Sequence, residues 1–274
     1  MIKKCIYYFW SKPCLDENGN FTKYCGFRKK RNFTYSAYLG LLLNKQHFEE
    51  VNLYTDQKGA DLLINELKLP FDNVFVVLDE IEDVDKKFWA FGKLKAISLQ
   101  EEPFIHLDFD AVLFKPLLES ILNADHFFQC IEKDYPWYGY GLDIVKNSEF
   151  EDFINLDDNT AYNCGIMGFN KLDIIEEWYS NTLKFVNFFK NIEIDTPNII
   201  FEQHQIYQLL QRDSASVQLL GQNHEEVELN AVILGYSHLL SKHKNAPSVF
   251  PKLKSKFETL FPDEVEKVSN ILEG

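Results

Sequence analysis

The chain has 274 residues, of which 46% are hydrophobic, so it is long and apolar enough to bury a substantial core as one large domain. Its 28 basic and 42 acidic residues give a net charge of -14, which repels phosphate backbones and argues against nucleic-acid binding. Five scattered cysteines without a CxxC pair, and the absence of an apolar run that could span a bilayer, predict a cytoplasmic protein without disulfides, zinc or a transmembrane segment.

Strands and helices alternate in the first part of the chain. A strand over 3–10 is followed by a stretch, 11–35, that shows neither period and that we expect to be a functional loop. The next predicted elements are a helix that Ser36 could cap, a strand over 51–56, a helix over 59–69, a strand over 73–79 and a helix over 85–100. Strands separated by helices of this length predict a parallel sheet with helices on both faces.

The pattern becomes less regular after Asn123. Segments 135–143 and 155–170 are rich in glycine and aromatic residues and are predicted to be binding loops around short strands. The last predicted elements are helices over 172–190 and 198–212, a strand over 231–238 and an amphipathic tail over 252–272. One α/β domain with a mixed second half is the simplest interpretation.

Two carboxylates lie at the end of the most apolar predicted strand, "FIHLDFDAVLFKP" (104–116). Asp108 and Asp110 occupy alternate positions, and ligands of parallel sheets bind beyond the carboxyl ends of the strands. Two carboxylates that project together repel each other unless a proton, a base or a cation lies between them, and hard divalent cations take such ligands. A Mg²⁺ or Mn²⁺ site is one interpretation; the alternative is that Asp108 caps a backbone group and Asp110 only begins the loop.

Four segments favour the metal site over the capping role, because their order and spacing resemble those of motifs in the GT-A glycosyltransferases. Within that group the chain is most similar to the retaining bacterial galactosyltransferase and glycogenin-like family and its mannosyltransferase-like relatives. The segments are "GKLKAISLQEEPFIHLDFDAVLFKPL" (92–117), "YNCGIMGFN" (162–170), "EQHQIY" (202–207) and "HLLSKHK" (238–244).

The chain departs from the family pattern at four positions. Lys93 stands where the family usually has arginine. Glu202 and His204 replace the two acids of its D-Q-D motif, and Ser241 replaces the glycine of its H-x-x-G-x-x-K motif. Because of the last change, His243 could compete with His238 as a ligand.

The resemblance implies a GT-A (Rossmann-like) mixed sheet and a metal-dependent glycosyltransferase of the hexosyltransferase type. The donor is expected to be a nucleotide-sugar, a UDP-sugar in the first instance, and the acceptor a saccharide, lipid or peptide. Retention of anomeric configuration is expected. The nucleotide-binding half would extend to about residue 120, the acceptor-binding half over 121–250, and the helical tail over 251–274.

The resemblance also assigns side chains to roles. The implied ligands of Mn²⁺ or Mg²⁺ are Asp108, Asp110 and His238. The implied donor contacts are Tyr8, Trp10, Asp56, Asp108 and Lys244. The implied catalytic residues are Gln203, Lys93 and Asn163. For several of these a structural role is the open alternative: a core aromatic for Tyr8, a surface lysine for Lys93 and a strand-end cap for His238.

Two other functions remain open on the sequence alone. A phosphohydrolase of the haloacid dehalogenase type also carries an acidic DxD motif, but on its first strand. A non-catalytic nucleotide-sugar-binding module would agree with the departures at Glu202, His204 and Ser241. The basic run "RKKR" (28–31) could guide an anionic substrate, although such runs are most often only solvated.

Overall fold

A seven-stranded mixed sheet forms the centre of the computed structural model, which describes residues 2–150, 155–193, 197–239 and 241–273. The strands are β1 (Lys4–Phe9), β2 (Glu50–Thr55), β3 (Asn73–Val76), β4 (Phe104–Leu107), β5 (Ala111–Leu113), β6 (His126–Phe128), β7 (Ile131–Glu132), β8 (Ala161–Tyr162), β9 (Ile166–Phe169), β10 (Val217–Leu219) and β11 (Tyr236–His238). The central sheet has the order β10-β6-β9-β4-β1-β2-β3, and β9 runs antiparallel to both neighbours. Two small sheets pair β11 with β5 and β7 with β8.

Helices cover both faces of this sheet. They are α1 (Lys30–Asn44), α2 (Gln57–Ala60), α3 (Phe91–Ser98), α4 (Glu119–Leu122), α5 (Pro136–Lys146), α6 (Asp173–Phe189), α7 (Pro197–Ile199), α8 (Gln205–Arg212), α9 (His224–Leu234), α10 (Val249–Leu260) and α11 (Val265–Glu273). Single π-helical turns extend α2 over Asp61–Glu66 and connect α7 to α8 over Ile200–His204. In the described residues no helix is both long and apolar enough to cross a membrane.

Strand alternation divides the core into two clusters. On β1, Cys5, Tyr7 and Phe9 contribute to a cluster with α1 and α10, whereas Ile6 contributes to a cluster with α3, α6 and α8. Successive side chains of a strand point to opposite faces, so the sheet lies between the two clusters. The predicted α/β class, with a GT-A-like mixed sheet and helices on both faces, is confirmed.

The order of the parallel strands locates the ligand-binding edge. β1 pairs in parallel with β2 on one side and with β4 on the other. Along the chain, β2 and β3 therefore follow on one side of β1, and β4 lies on the other side of β1. Crevices at such a reversal, beyond the carboxyl ends of the strands, are the usual binding sites of open α/β sheets.

Three predicted elements were wrong. The helix expected to begin at Ser36 begins at Lys30, and the Ser36 hydroxyl donates instead to the carbonyl of Phe109 at 2.9 Å. Segment 135–143, expected to be a loop, lies in α5, where Pro136 occupies the first turn and the buried Tyr138 and Leu142 are four residues apart.

The third wrong element is the strand over 231–238, since only Tyr236–His238 is extended. The preceding apolar run belongs to α9, which Asn223 caps at its start by accepting from the N–H of Glu226. Gly235 ends that helix with φ +69°, a left-handed conformation that glycine adopts without strain. The helix over 85–100 is also shorter than expected, Phe91–Ser98.

Candidate active site

A cavity of about 270 Å³ opens where β1 and β4 end. We call it the strand-end cavity. Its lining includes Tyr8, Trp10, Asp108, Asp110 and Lys244. Tyr8 and Trp10 come from the end of β1, and the two carboxylates come from the turn that joins β4 to β5. The expected juxtaposition of aromatic side chains and acids at one sheet edge is therefore present.

Asp108 is held in one orientation by two donors. The ammonium of Lys93 and Nε2 of His106 each lie 3.1 Å from its Oδ1. Burial lowers the pKa of His106, and because Oδ1 can only accept, Nε2 carries the imidazole proton. Burial opposes ionisation of Asp108, but the charge of Lys93 and the hydrogen bond from His106 hold its pKa well below the usual range.

Lys93 is buried between two carboxylates rather than exposed. It projects from α3 and places its ammonium 2.6 Å from Glu202, as well as 3.1 Å from Asp108 and 3.2 Å from the carbonyl of Cys164. Burial alone would lower the pKa of Lys93, yet the two carboxylates raise it well above its usual value. Burial raises the pKa of Glu202 against the opposing charge of Lys93. One cation is thus shared by two acids.

Asp110 lies beside His238 and Lys244. The antiparallel pairing of β5 with β11 sets His238 opposite Ala111, and the N–H of Leu239 donates to the carbonyl of Asp110 at 3.0 Å. Oδ2 of Asp110 is 3.5 Å from Nε2 of His238 and 2.7 Å from the ammonium of Lys244. Burial alone would raise the pKa of Asp110, but His238 and Lys244 lower it below its usual value.

The donor set of Asp108, Asp110 and His238 fits a divalent cation. One ligand atom from each lies within 4.8 Å of the others. Nδ1 of His238 is 2.6 Å from the side-chain oxygen of the buried Gln129, so that nitrogen carries the proton and Nε2 is left to coordinate. Two carboxylates and an imidazole suit Mn²⁺ or Mg²⁺.

Gly165 permits this arrangement of His238. A Cβ atom at position 165 would lie 2.1 Å from Cε1 of the imidazole, far inside contact distance. The carbonyl of Gly165 also accepts from the N–H of Asp108 at 2.9 Å. Gly165 therefore contacts both His238 and Asp108, which lie on the two sides of the candidate metal site.

Asp56 has partners other than the cavity. Its Oδ2 accepts from the N–H and hydroxyl of Ser11 at 2.9 and 2.7 Å, and its Oδ1 accepts from the N–H of Gly59 at 2.7 Å, which caps α2. Burial raises the pKa of Asp56, although the hydrogen bonds from Ser11 and Gly59 act in the opposite direction. Asp56 does not line the strand-end cavity, and its assignment as a donor contact stays a prediction.

Gln203 and Asn163 belong to a second polar group, which we call the Glu132 cluster: Glu132, Tyr138, Asn163, Gln203 and His224. The Tyr138 hydroxyl hydrogen bonds to both Glu132 and Gln203. Glu132 also accepts from Asn163 at 2.8 Å and lies 2.9 Å from Nε2 of His224. Burial alone would raise the pKa of Glu132, but the hydrogen bonds from these donors lower it. In turn, the hydrogen bond to Glu132 raises the pKa of His224.

The structure adds residues that the sequence reasoning missed. His106 was visible as the third polar residue of the β4 segment, whereas Gln129, Glu132, Tyr138 and His224 carried no motif. Cys164, which follows Asn163, is fully buried, and burial raises the pKa of its thiol well above the usual value, as expected of an unreactive cysteine.

A protein-family model matches residues 3–271 of the chain, and its description is "Family of unknown function (DUF6734)". No curated protein matches the chain.

Several solved structures are similar in outline. The 4-diphosphocytidyl-2C-methyl-D-erythritol synthase from Anaerococcus prevotii DSM 20548 is 14% identical over 85% of this chain and 98% of its own, with a TM-score of 0.40. Mouse xyloside xylosyltransferase 1 is 12% identical over 81% and 85%, with a TM-score of 0.39. The glycosyltransferase GlyE of Streptococcus pneumoniae TIGR4 is 11% identical over 85% and 50%, with a TM-score of 0.40. Such scores do not transfer an activity.

Proposed function

The chain belongs to the DUF6734 family, and from its own side chains we propose that it is a metal-dependent glycosyltransferase that takes a sugar from a nucleoside diphosphate, in the first instance a UDP-sugar. One observation carries the proposal. Asp108, Asp110 and His238 bring a ligand atom each within 4.8 Å, at the edge of a cavity whose lining also includes the aromatic residues Tyr8 and Trp10 and the ammonium of Lys244.

Each part of the cavity suits one part of such a donor. The rings of Tyr8 and Trp10 offer faces and edges to a nucleobase. Lys93 and His106 both contact Oδ1 of Asp108, so its other carboxylate oxygen, Oδ2, is the one that we assign to a ribose hydroxyl or a cation. Lys244, which lines the same cavity, can neutralise the diphosphate. A divalent cation bound here supplies Lewis-acid stabilisation of the departing diphosphate.

We assign Lys93 a positioning role rather than direct contact with substrate. Its ammonium lies against Asp108, Glu202 and the Cys164 carbonyl, its side chain is only 3% exposed, and it does not line the strand-end cavity. Its charge keeps Asp108 ionised. The contact with Cys164 also fixes the loop that leads to Gly165.

The Glu132 cluster is proposed to face the sugar and its acceptor. Asn163 connects this cluster to the candidate metal site, because its side chain donates to Glu132 and accepts from the N–H of Gly165 at 3.1 Å. Gln203 is a neutral side chain held by Tyr138, so it suits hydrogen bonding near the anomeric carbon better than nucleophilic attack. This agrees with retention of configuration by reaction on the front face of the sugar.

The position of the acidic motif bears on the phosphohydrolase alternative. A haloacid dehalogenase-type enzyme would carry its DxD motif after the first strand. Here Asp108 follows β4, the fourth strand along the chain, and β1 supplies aromatic residues instead. This arrangement favours the transferase.

A screen of nucleotide-sugars by thermal shift tests the donor. With Mn²⁺ present, a UDP-sugar at a hundred times its Kd is expected to stabilise the fold by about 2.7 kcal/mol, and less when Mn²⁺ is withheld. Once the donor is known, NMR of the transfer product is expected to show retained anomeric configuration. An inverted product would contradict retention, and a flat screen across all bases would contradict the donor class.

Replacing His238 and Lys244 separately is expected to give different kinetic signatures. His238→Ala should weaken the apparent Mn²⁺ affinity by about tenfold or more, because it removes one ligand. Lys244→Met should mainly lower kcat, by about 10²-fold, because its charge acts on the diphosphate as the bond breaks. Titration of activity with Mn²⁺ and with donor separates the two effects.

His243→Ala is the matched control, since His243 is a nearby exposed imidazole. It is expected to behave like the wild type. If His243→Ala weakens Mn²⁺ activation and His238→Ala does not, the assignment of His238 is wrong.

A further inference from the structure

Helix α9 presents an apolar surface to solvent. Leu229, Val232 and Ile233 are 72, 83 and 73% exposed, more than any other large hydrophobic side chain in the described residues. Their spacing of three and four residues places them on one side of the helix, and we call this surface the α9 face. Single exposed apolar side chains are ordinary, but several together on one helix mark an interaction surface.

The inner side of α9 gives the helix little support. Of its eleven residues only Val227 is buried, while Ala231 and Leu234 are partly buried against the core. A helix of this length is marginal in water by itself, and most helices are stabilised by packing an apolar face. A partner on the α9 face would therefore add packing that the helix lacks within one chain.

Charges of opposite sign border the two ends of the α9 face. The exposed Glu225 lies one turn before Leu229, on the same side of the helix. At the other end, a Cβ atom at Gly235, three residues after Val232, would lie 2.6 Å from the side chain of Lys115. Lys115 is exposed as well. The surface thus has an acid at its amino end, apolar side chains in the middle and a cation at its carboxyl end.

We propose that the α9 face pairs with the α9 face of a second copy of this chain, antiparallel across a twofold axis. Setting Leu229 of one copy against Ile233 of the second places residue 225 opposite position 237, just beyond the helix end that Lys115 borders. An isologous interface repeats each contact, so Glu225 meets Lys115 at both ends. Antiparallel helices also bring opposite ends of their dipoles together.

The charge pattern favours a second copy over a membrane. A surface with an acid at one end and a cation at the other is complementary to its own inverted copy, whereas the acid repels anionic lipid. The pairing goes beyond the proposed transfer reaction but bears on its site. His224 begins α9, and its Nε2 lies 2.9 Å from Glu132, so the interface would hold the helix that brings His224 to the Glu132 cluster.

Sedimentation velocity of the full chain, without metal or nucleotide, tests the pairing independently of the proposed function. Salt at about 0.15 M screens the long-range repulsion between two copies with a net charge of -14 each. The wild type is expected to approach twice the 32.2 kDa of one chain as its concentration rises to about 50 µM. Leu229→Asp should weaken the dimer at least about tenfold, because it places a charge at the centre of the interface.

The matched control is Leu183→Asp, which changes an exposed leucine of α6 in the same way and should dimerise like the wild type. Both leucines are exposed in one chain, so circular dichroism is expected to show that both variants fold. A wild type that stays monomeric at about 50 µM, or a Leu229→Asp variant that dimerises as tightly as the wild type, would overturn the proposal. Cosedimentation of a monomeric wild type with phosphatidylcholine vesicles would assign the α9 face to a membrane instead.

Charge reversal tests the antiparallel orientation. Glu225→Lys and Lys115→Glu should each weaken the dimer about fivefold or more, because each places like charges opposite one another at both ends. The combined variant, Glu225→Lys/Lys115→Glu, exchanges the two charges and should recover the affinity of the wild type. If it stays as weak as the single variants, the antiparallel pairing is wrong.

Discussion

Asp110→Asn is expected to abolish metal-dependent turnover, with a loss of about 10³-fold or more. The substitution keeps the shape of the side chain but removes the charge that Asp110 contributes next to Asp108 and His238. A loss of this size corresponds to about 4 kcal/mol, the order expected when a diphosphate departs without its Lewis acid. Steady-state transfer rates and titration of nucleotide binding with Mn²⁺ measure the effect.

Asp125→Asn is the matched control for this substitution. Asp125 pairs with Lys171 at 2.8 Å. Since β4 and β6 are both antiparallel to β9, they run in the same direction, and Asp125, which precedes β6, lies at the opposite end of the strands from the strand-end cavity. The Asp125→Asn variant is expected to keep wild-type activity. Wild-type turnover by Asp110→Asn, or by the native protein in excess chelator, would show that the acidic pair does not serve a metal.

Lys93→Met is expected to destabilise the fold by about 3–5 kcal/mol. The substitution leaves the buried carboxylate of Glu202 and the half-buried carboxylate of Asp108 without their shared cation, and an uncompensated buried charge is strongly destabilising. Chemical denaturation at neutral pH measures the difference in unfolding free energy.

The pH dependence of Lys93→Met distinguishes this cause from lost packing. The pKa of the buried Glu202 is already raised by burial with Lys93 present, and without that cation its folded-state pKa should lie further above the unfolded value. Protonation then favours the folded state, so the deficit should shrink as the pH falls toward the unfolded pKa value and grow as it rises through the folded one. A deficit independent of pH would point to packing instead.

Lys95→Met, on the same helix, is the control. Lys95 pairs at 2.8 Å with Glu80, whose side chain is 65% exposed. A pair of this kind contributes about 0.2–1 kcal/mol, so the change in stability should be small. If Lys93→Met cost no more than Lys95→Met, the shared buried cation would not support the fold.

The sequence was sufficient to predict the elements whose periodicity is local and strong. β1, β2 and β4, helix α6 and the helical tail follow from apolar spacing, and the order of strands and helices was enough for the α/β class. The pair of Asp108 and Asp110 was also visible, because alternate positions of a strand point the same way whatever the strand packs against.

Local patterns were ambiguous where two conformations bury the same residues. The apolar run at 231–234 suits a strand or a helix, and the cap at Asn223 together with the left-handed Gly235 decided for the helix. In segment 135–143, glycine and aromatic content suggested a loop, but packing of Tyr138 and Leu142 into the core made a helix of it.

The candidate site itself depends on contacts between residues that are far apart along the chain. The sequence determined that an acidic pair ends an apolar strand. Only the tertiary structure decided that Lys93 would be shared by Asp108 and Glu202. The family resemblance already implied His238 as a ligand beside the acidic pair, and the pairing of β11 with β5 explains how it reaches Asp110. The reason is physical: a buried charge is tolerated only beside a partner, and the packing of the whole sheet decides which partner is near.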